Sequence, residues 1–214
     1  VPKLDIFSDT ICPWCYVGKR RLERALEERP QPGLEITWRT FQLNPDMPPD
    51  GMDRQTYLEL KFGGPLNARA TYDHVREAGR KEAIPFDFDA IQRTPNTIAS
   101  HRLLRHAHRK GCQEAVVQAL FDAYFVEGRN IGDFETLAVI AESAGLAKNE
   151  TLAFLRGDEF LEEVRTEDAL ARRIGITGVP CFIFNGSHAL SGAQPPEAFY
   201  QMFDLMREET PVTG

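Results

Sequence analysis

The stretch Leu4-Asp5-Ile6-Phe7-Ser8-Asp9-Thr10-Ile11-Cys12-Pro13-Trp14-Cys15-Tyr16-Val17 sets two cysteines, two residues apart, where one kind of sequence gives way to another. Residues 4–8 have strand-like apolar content and run into the polar Ser8-Asp9-Thr10. From Cys15 onward a helical pattern takes over: Cys15, Leu22, Ala25 and Leu26 share one face, and Lys19, Arg20, Arg21, Glu23 and Arg24 read as its solvated side. Pro13 suits a first-turn position, where no backbone donor is needed. Pro30, Pro32 and Gly33 end the helix, and Leu34-Glu35-Ile36-Thr37-Trp38-Arg39 alternates as a strand with one wet face. Strand, helix and strand within about 40 residues make a βαβ unit, with a right-handed crossover expected.

Beyond this unit the character changes. Between Met52 and Gly157 no convincing strand is expected, and helices are expected over 54–62, 66–82, 96–110, 113–126, 134–145 and 149–156. Gly63-Gly64-Pro65, Pro85, Pro95, Gly111, Gly128 and Gly145 punctuate them. A further helix over 159–174 stops at Gly175. Cys181-Phe182-Ile183-Phe184 then reads as a strand, Asn185-Gly186 as a hairpin turn, and His188-Ala189-Leu190-Ser191 as the returning strand. Phe199, Met202, Phe203 and Met206 mark a closing helix opened by Pro195-Pro196.

Cys12-Pro13-Trp14-Cys15 carries the chemistry. A thiol at a strand-to-helix junction faces unpaired backbone N–H groups and the positive end of the helix dipole, both of which favour thiolate. Cys12, at the helix start, is the candidate nucleophile; Cys15, one turn in on the apolar face, is the candidate shielded resolving thiol. Pro13 and Trp14 between them tune the redox poise. Structural zinc is the bland rival for any C-x-x-C, but it wants four ligands, and no second C-x-x-C is present. Gly178-Val179-Pro180 is a second constellation, because Pro at a strand's first position gives up no ladder bond and an X–Pro peptide adopts cis at low cost.

The remaining titratable groups carry weaker expectations. Cys181 is a candidate accessory resolving thiol, against the plainer role of a small core hydrophobe. Cys112 reads as a surface or packing thiol near a helix start. Asp5, within the strand, and Asp9, read as a turn residue, are candidates for the base that takes the resolving thiol's proton, although exposure is the ordinary state of Asp. His101, His106 and His108 do not share a metal-binding face, since 106 and 108 point apart and 101 and 108 lie about 10 Å apart along a helix; solvated or capping roles are expected.

The chain has 214 residues, with 25 Lys+Arg against 32 Asp+Glu and a net charge of −7. Length against a typical domain of about 150 residues gives one to two domains, large enough to remove roughly 70% of the unfolded surface from water. The acidic balance argues against nucleic acid as partner, which needs a basic face. No apolar run approaches the ~18–20 residues that span a bilayer, so a soluble, non-membrane protein is expected. Four cysteines make no disulfide scaffold. The expected setting is cytoplasmic, although Val1 is not an initiator methionine and a removed signal peptide would leave no trace.

Taken in order, Asp9-Thr10-Ile11-Cys12-Pro13-Trp14-Cys15, Phe41-Gln42-Leu43-Asn44-Pro45, Tyr124-Phe125-Val126-Glu127-Gly128-Arg129-Asn130-Ile131, Gly178-Val179-Pro180 and Ser191-Gly192-Ala193-Gln194-Pro195 resemble the DsbA-like group of the thioredoxin-fold superfamily, and within it the FrnE-like thiol–disulfide oxidoreductases. The resemblance covers nearly the whole chain. It implies an α/β thioredoxin fold from residues 1–45 and 158–214, discontinuous around an inserted all-helical domain at 46–157. It implies a cis peptide before Pro180 packed against the cysteine pair, and a Val179 backbone that pairs with an extended substrate strand. Disulfide- or dithiol-containing proteins are the implied partners. No metal or organic cofactor is implied; glutathione is the candidate co-substrate, with Gln194 a candidate donor to its carboxylate. The resemblance extends to kappa-class glutathione transferases and hydroxychromene-carboxylate isomerases, which typically carry Ser at the Cys12 position. A glutathione-dependent transferase or isomerase is therefore one rival function, and a non-catalytic holdase is another. Cys181 departs from the family pattern, which more often has an aromatic or small residue after the cis-proline.

Overall fold

Strand β1 (Lys3–Ser8) is the hub of the molecule, flanked on both sides in a four-stranded sheet. The computed structural model describes residues 1–209. Helix α1 (Pro13–Glu28) leads to β2 (Glu35–Thr40), which pairs parallel to β1 with Lys3 opposite Glu35 and Ser8 opposite Thr40. On the other side β5 (Cys181–Phe184) runs antiparallel to β1, and β6 (His188–Ser191) antiparallel to β5, so the order is β2-β1-β5-β6. Asn185 and Gly186, at φ 48° and 72°, form the hairpin turn, where positive φ at both positions suits the twist of the strands. Helix α9 (Pro196–Glu209) closes the chain against α1 and β6. The last residues of the expected 158–214 segment, 210–214, lie outside the described residues.

The expected helices appear between these parts as α2 (Arg54–Phe62), α3 (Pro65–Lys81), α4 (Ile98–Arg109), α5 (Gln113–Phe125), α6 (Phe134–Ser143), α7 (Lys148–Arg156) and α8 (Leu161–Arg173). One correction applies here. The stretch expected to lack strands holds two, β3 (Met52–Asp53) and β4 (Arg93–Thr94), antiparallel with Met52 opposite Thr94; a two-residue strand has no periodicity to read.

The helical block is joined to the sheet by one continuous apolar core, in which Leu4 and Ile6 of β1, Phe121 and Phe125 of α5 and Phe199 and Phe203 of α9 are all buried. It also seals the edge of β2. Gln113, the first residue of α5, accepts from the Trp38 N–H at 2.9 Å and donates to the Trp38 carbonyl at 3.0 Å, as a neighbouring strand would. Glu167 and Asp168 of α8 accept from the Thr40 and Gln42 N–H groups at 2.8 and 2.7 Å. A smaller cluster of Phe7, Phe41, Ala171, Ile176 and Cys181 lies where α8 meets the sheet. The expected wet face of α1 is also corrected: Lys19 is buried, pairing with Glu23 one turn on and with Glu114 of α5 at 2.8 Å. No helix among the described residues is long and apolar enough to cross a membrane.

Candidate active site

The link from β1 to α1 is anchored from the helical block. Thr10 Oγ1 and Ser100 Oγ are 2.7 Å apart, and Ser100 also donates to the Thr97 carbonyl, so the start of α4 grips the residues that lead into the cysteine motif. Asp9 is fully buried. One carboxylate oxygen lies 3.0 Å from His101 Nε2 on α4, and the other accepts from the Leu43 N–H at 2.7 Å. Two expectations fail at this point. Asp9 opens a turn as expected, its carbonyl accepting from the Cys12 N–H, but it is not exposed, and His101 is neither solvated nor a cap; their mutual contact gives each a polar partner in the interior. Asp5 points elsewhere, to Arg39 at 2.6 Å.

Cys12 takes the N-cap position of α1 with extended backbone, φ −89° and ψ 111°, and Pro13 follows in the first turn, as the sequence implied. The Cys12 N–H donates to the Asp9 carbonyl, and the Cys15 N–H to the Cys12 carbonyl, each at 3.0 Å, so the tight first turn brings the two sulfurs together. No acidic side chain sits in that first turn. Both cysteines are free thiols here. Their surroundings differ. Cys12, 4% exposed, lines a cavity of about 280 Å³; Cys15, 0% exposed, lies behind it. Burial pushes the Cys15 thiol well above the ordinary range, and the adjacent Cys12 sulfur and the Asp9 charge push the same way.

The Val179–Pro180 peptide is cis, and the Cys12 thiol donates to the Val179 carbonyl with sulfur and oxygen 3.5 Å apart. Gly18, one turn beyond Cys15, makes room for this loop: a Cβ there would lie 2.9 Å from Pro180 Cγ and 3.2 Å from Phe182 Cζ. Cys181 turns away into the small core cluster with Phe7 and Phe41, and burial raises its thiol too. It does not line the Cys12 cavity. Gln194 is engaged locally, its side-chain amide donating to the Ser191 carbonyl at 3.0 Å, and it does not line the cavity either. Cys112 stands at the N-cap of α5, half-buried. His106 stacks on Phe154, ring centroids 4.4 Å apart, and burial lowers its pKa. Among the described residues no three His, Cys, Asp or Glu side chains are grouped to hold a metal ion.

Both parts of the chain build the cavity. Ile11, Cys12, Pro13, Trp14, Gly178 and Val179 form one wall, while Arg54, Tyr57, Lys61, Tyr72, Val75 and Tyr124 come from the helical block. The Trp14 ring also packs against His74 of α3, centroids 5.6 Å apart. Sequence reasoning missed Arg54 and Lys61 entirely, and misread His101. A cation one residue into a helix is ordinary in a sequence, and only the tertiary contacts distinguish it.

The DSBA-like thioredoxin domain model matches residues 3–204. The chain is similar to the crystal structure of SCO1869, a probable DsbA oxidoreductase of Streptomyces coelicolor: TM-score 0.88 and 34% identity, covering 100% of this chain and 94% of that one. The fold is also shared with the cytosolic disulfide reductase DsbM of Pseudomonas aeruginosa with GSH, at TM-score 0.67 and 20% identity over 96% of this chain and 99% of that one. The uncharacterized protein YwbO of Bacillus subtilis (strain 168) is 25% identical over 197 residues, 92% of each chain.

Proposed function

The chain belongs to the DSBA-like thioredoxin domain family, and from that premise we propose that it is a thiol–disulfide oxidoreductase that exchanges disulfides with protein or small-thiol substrates through Cys12 and Cys15. The observation that carries the reading is the asymmetry of the pair: Cys12 opens on a cavity beside Val179, and Cys15 sits wholly buried behind it. Cys12, as thiolate, attacks one sulfur of a substrate disulfide; that S–S bond breaks and the departing sulfur takes a proton. Cys15, as thiolate, then attacks Cys12 Sγ and releases the second substrate thiol. Two electrons and two protons pass from the dithiol to the substrate, and the reverse sequence donates a disulfide.

Cys15 must lose its proton in the second step, against a burial that holds the proton on. Asp9, whose charge acts on Cys15 and whose carboxylate is held by His101 and the Leu43 N–H, is the group positioned to take it. An extended substrate strand pairs with the Val179 backbone next to Cys12. The chemistry requires no metal or organic cofactor, because both electrons reside on the cysteines. The FrnE-like subgroup, the division at 46–157 into an inserted helical domain, glutathione as a co-substrate and a cytoplasmic setting form part of the same reading.

The test is a set of cysteine variants in insulin reduction and in exchange with a small disulfide. Cys12→Ser, and Cys12→Ser with Cys15→Ser, are expected to be inert, whereas Cys15→Ser accumulates a mixed disulfide at Cys12 visible by mass spectrometry. Turnover retained by the double variant would overturn the reading. Glutathione-dependent isomerase activity retained by Cys12→Ser would favour the isomerase rival, and aggregation suppression without exchange activity the holdase.

A further inference from the structure

The cavity beside Cys12 carries charge of one sign. Arg54 and Lys61 line it and none of its lining residues is acidic, in a chain whose net charge is −7. Arg54 is 9% exposed, yet among the described residues its guanidinium hydrogen-bonds only to neutral hydroxyls: Nη1 donates to Thr94 Oγ1 at 3.0 Å and Nη2 to Tyr72 Oη at 2.9 Å. Its Nε is buried without a partner. The guanidinium also lies over the Tyr57 and Tyr72 rings, 5.5 and 5.4 Å from their centroids.

Other shielded cations of this molecule are compensated. Lys19 has Glu23 and Glu114, Arg21 has Glu82, and Arg39 has Asp5 and Glu167. Arg102 has no carboxylate, but four backbone carbonyls around the end of α7 take its donors. Arg54 has neither. Burying a guanidinium without an anion is costly, and one kept in the wall of the cavity that Cys12 also lines leaves a place for a negative charge supplied from outside. Lys61 adds a second cation at the exposed end, its Nζ donating to Tyr57 Oη at 2.8 Å, with no carboxylate paired to it among the described residues. Trp14, Phe62, Tyr72, Phe88, Tyr124 and Phe125 supply rings along the rest of the wall. A volume of about 280 Å³ matches a small molecule, being near the low end of ligand sites at roughly 300–1,000 Å³.

We propose that this cavity is a binding site for a small disulfide or thiol that carries a carboxylate on an aromatic body, the carboxylate pairing with Arg54 and Lys61 and the sulfur lying against Cys12. The proposal names a substrate class for the exchange reaction above and rests on that reading for its chemistry, but not for its binding. Charge-assisted bonds to carboxylate are roughly twice as strong as neutral ones, and Arg offers the planar fork that matches it.

The redox-inert pair 4-nitrobenzoate and 4-nitrobenzamide, titrated into the full reduced chain by calorimetry, separates the two ideas. The carboxylate is expected to bind at least about tenfold more tightly than the amide. Arg54→Gln should bring that preference close to unity, Arg54→Lys should restore part of it, and Lys61→Gln, an exposed position where folding is not at risk, should reduce it severalfold. In exchange, the rate with 5,5′-dithiobis(2-nitrobenzoate) relative to neutral 2,2′-dithiodipyridine, each normalised to its reaction with dithiothreitol, should fall at least about tenfold in Arg54→Gln. Equal binding of carboxylate and amide, or a preference that neither Arg54→Gln nor Lys61→Gln changes, overturns the proposal. Carboxylate preference without exchange of either disulfide would support the site and sink the dithiol reading; exchange of the neutral disulfide with no carboxylate preference would do the reverse.

Discussion

At the scale of single residues, the two sulfurs of the motif differ in what surrounds them more than in where they stand in the chain. Burial pushes Cys15 up, so the folded reduced protein holds that proton more tightly than the unfolded chain, whose thiol titrates near 8.5. The sign follows from linkage: a group whose folded pKa is raised contributes stability that is complete below the unfolded pKa and is lost as pH climbs towards the folded one. Urea unfolding of the reduced chain should therefore show a larger loss of stability between pH 8 and pH 10 than the reduced Cys15→Ala variant does, the difference of the two isolating Cys15 from the tyrosines. Equal losses would mean that Cys15 is not held protonated. The placement of Cys12 and Cys15 at the start of α1 and the cis Val179–Pro180 peptide were legible in the sequence, because each is set by a short stretch of backbone. Asp9 and His101 were not, since their contact joins residues 92 positions apart and the sequence displays two polar side chains with ordinary reasons to be exposed. Arg54 was hidden for the same reason: its significance lies in having no carboxylate bonded to it among the described residues.

At the scale of elements, patterns that repeat were readable and patterns that do not repeat were lost. The hairpin of β5 and β6 followed from an apolar run, Asn185-Gly186 and a return, and most helices from apolar spacing ended by Gly or Pro. The pair β3 and β4 left no such trace. Helix α1 shows how an element transmits geometry to the site. It brings Cys12 to its N-terminus, and with Gly18 it accepts the loop that carries Val179 and Pro180 without an intervening Cβ. Gly18→Leu should gain helix propensity of about 1 kcal/mol and lose more, roughly 1–3 kcal/mol, to overpacking against Pro180 and Phe182. Because displacement of a reacting partner by about 1 Å can cost around 100-fold in rate, disulfide exchange should fall well beyond the change in stability. Exchange kinetics measured at 25 °C, where the variant remains folded by circular dichroism, check this; an unchanged rate would show that the α1–Pro180 contact does not position the site.

At the scale of the whole molecule, the helical block does two things for the sheet that a sheet of four strands cannot do for itself: it builds half of the cavity at Cys12 and it closes the open edge at β2. An edge strand leaves backbone donors and acceptors unpaired, and covering it with a helix is one of the ways proteins blunt it. The cover here is specific. Gln113 satisfies both polar groups of Trp38, and its amide also donates to the Leu104 carbonyl at 3.1 Å, so one side chain ties α5 to β2 and to the helix before it. The same α4 holds Asp9 and Thr10 just ahead of Cys12, which couples the seal at the edge to the candidate active site through a single helix. Gln113→Leu keeps the volume and removes the polar match, leaving a buried N–H and a buried carbonyl without partners. At about 1–3 kcal/mol for each unsatisfied group, the loss should be on the order of 3 kcal/mol in urea unfolding. Hydrogen exchange should show its largest loss of protection at the Trp38 amide, with a smaller loss spreading along β2, and small-disulfide exchange should slow only as far as α4 shifts. A stability within about 0.5 kcal/mol of the parent, the range of an ordinary surface substitution, would mean that water serves the edge as well as Gln113 does, and that the block adheres to the sheet through its apolar core alone.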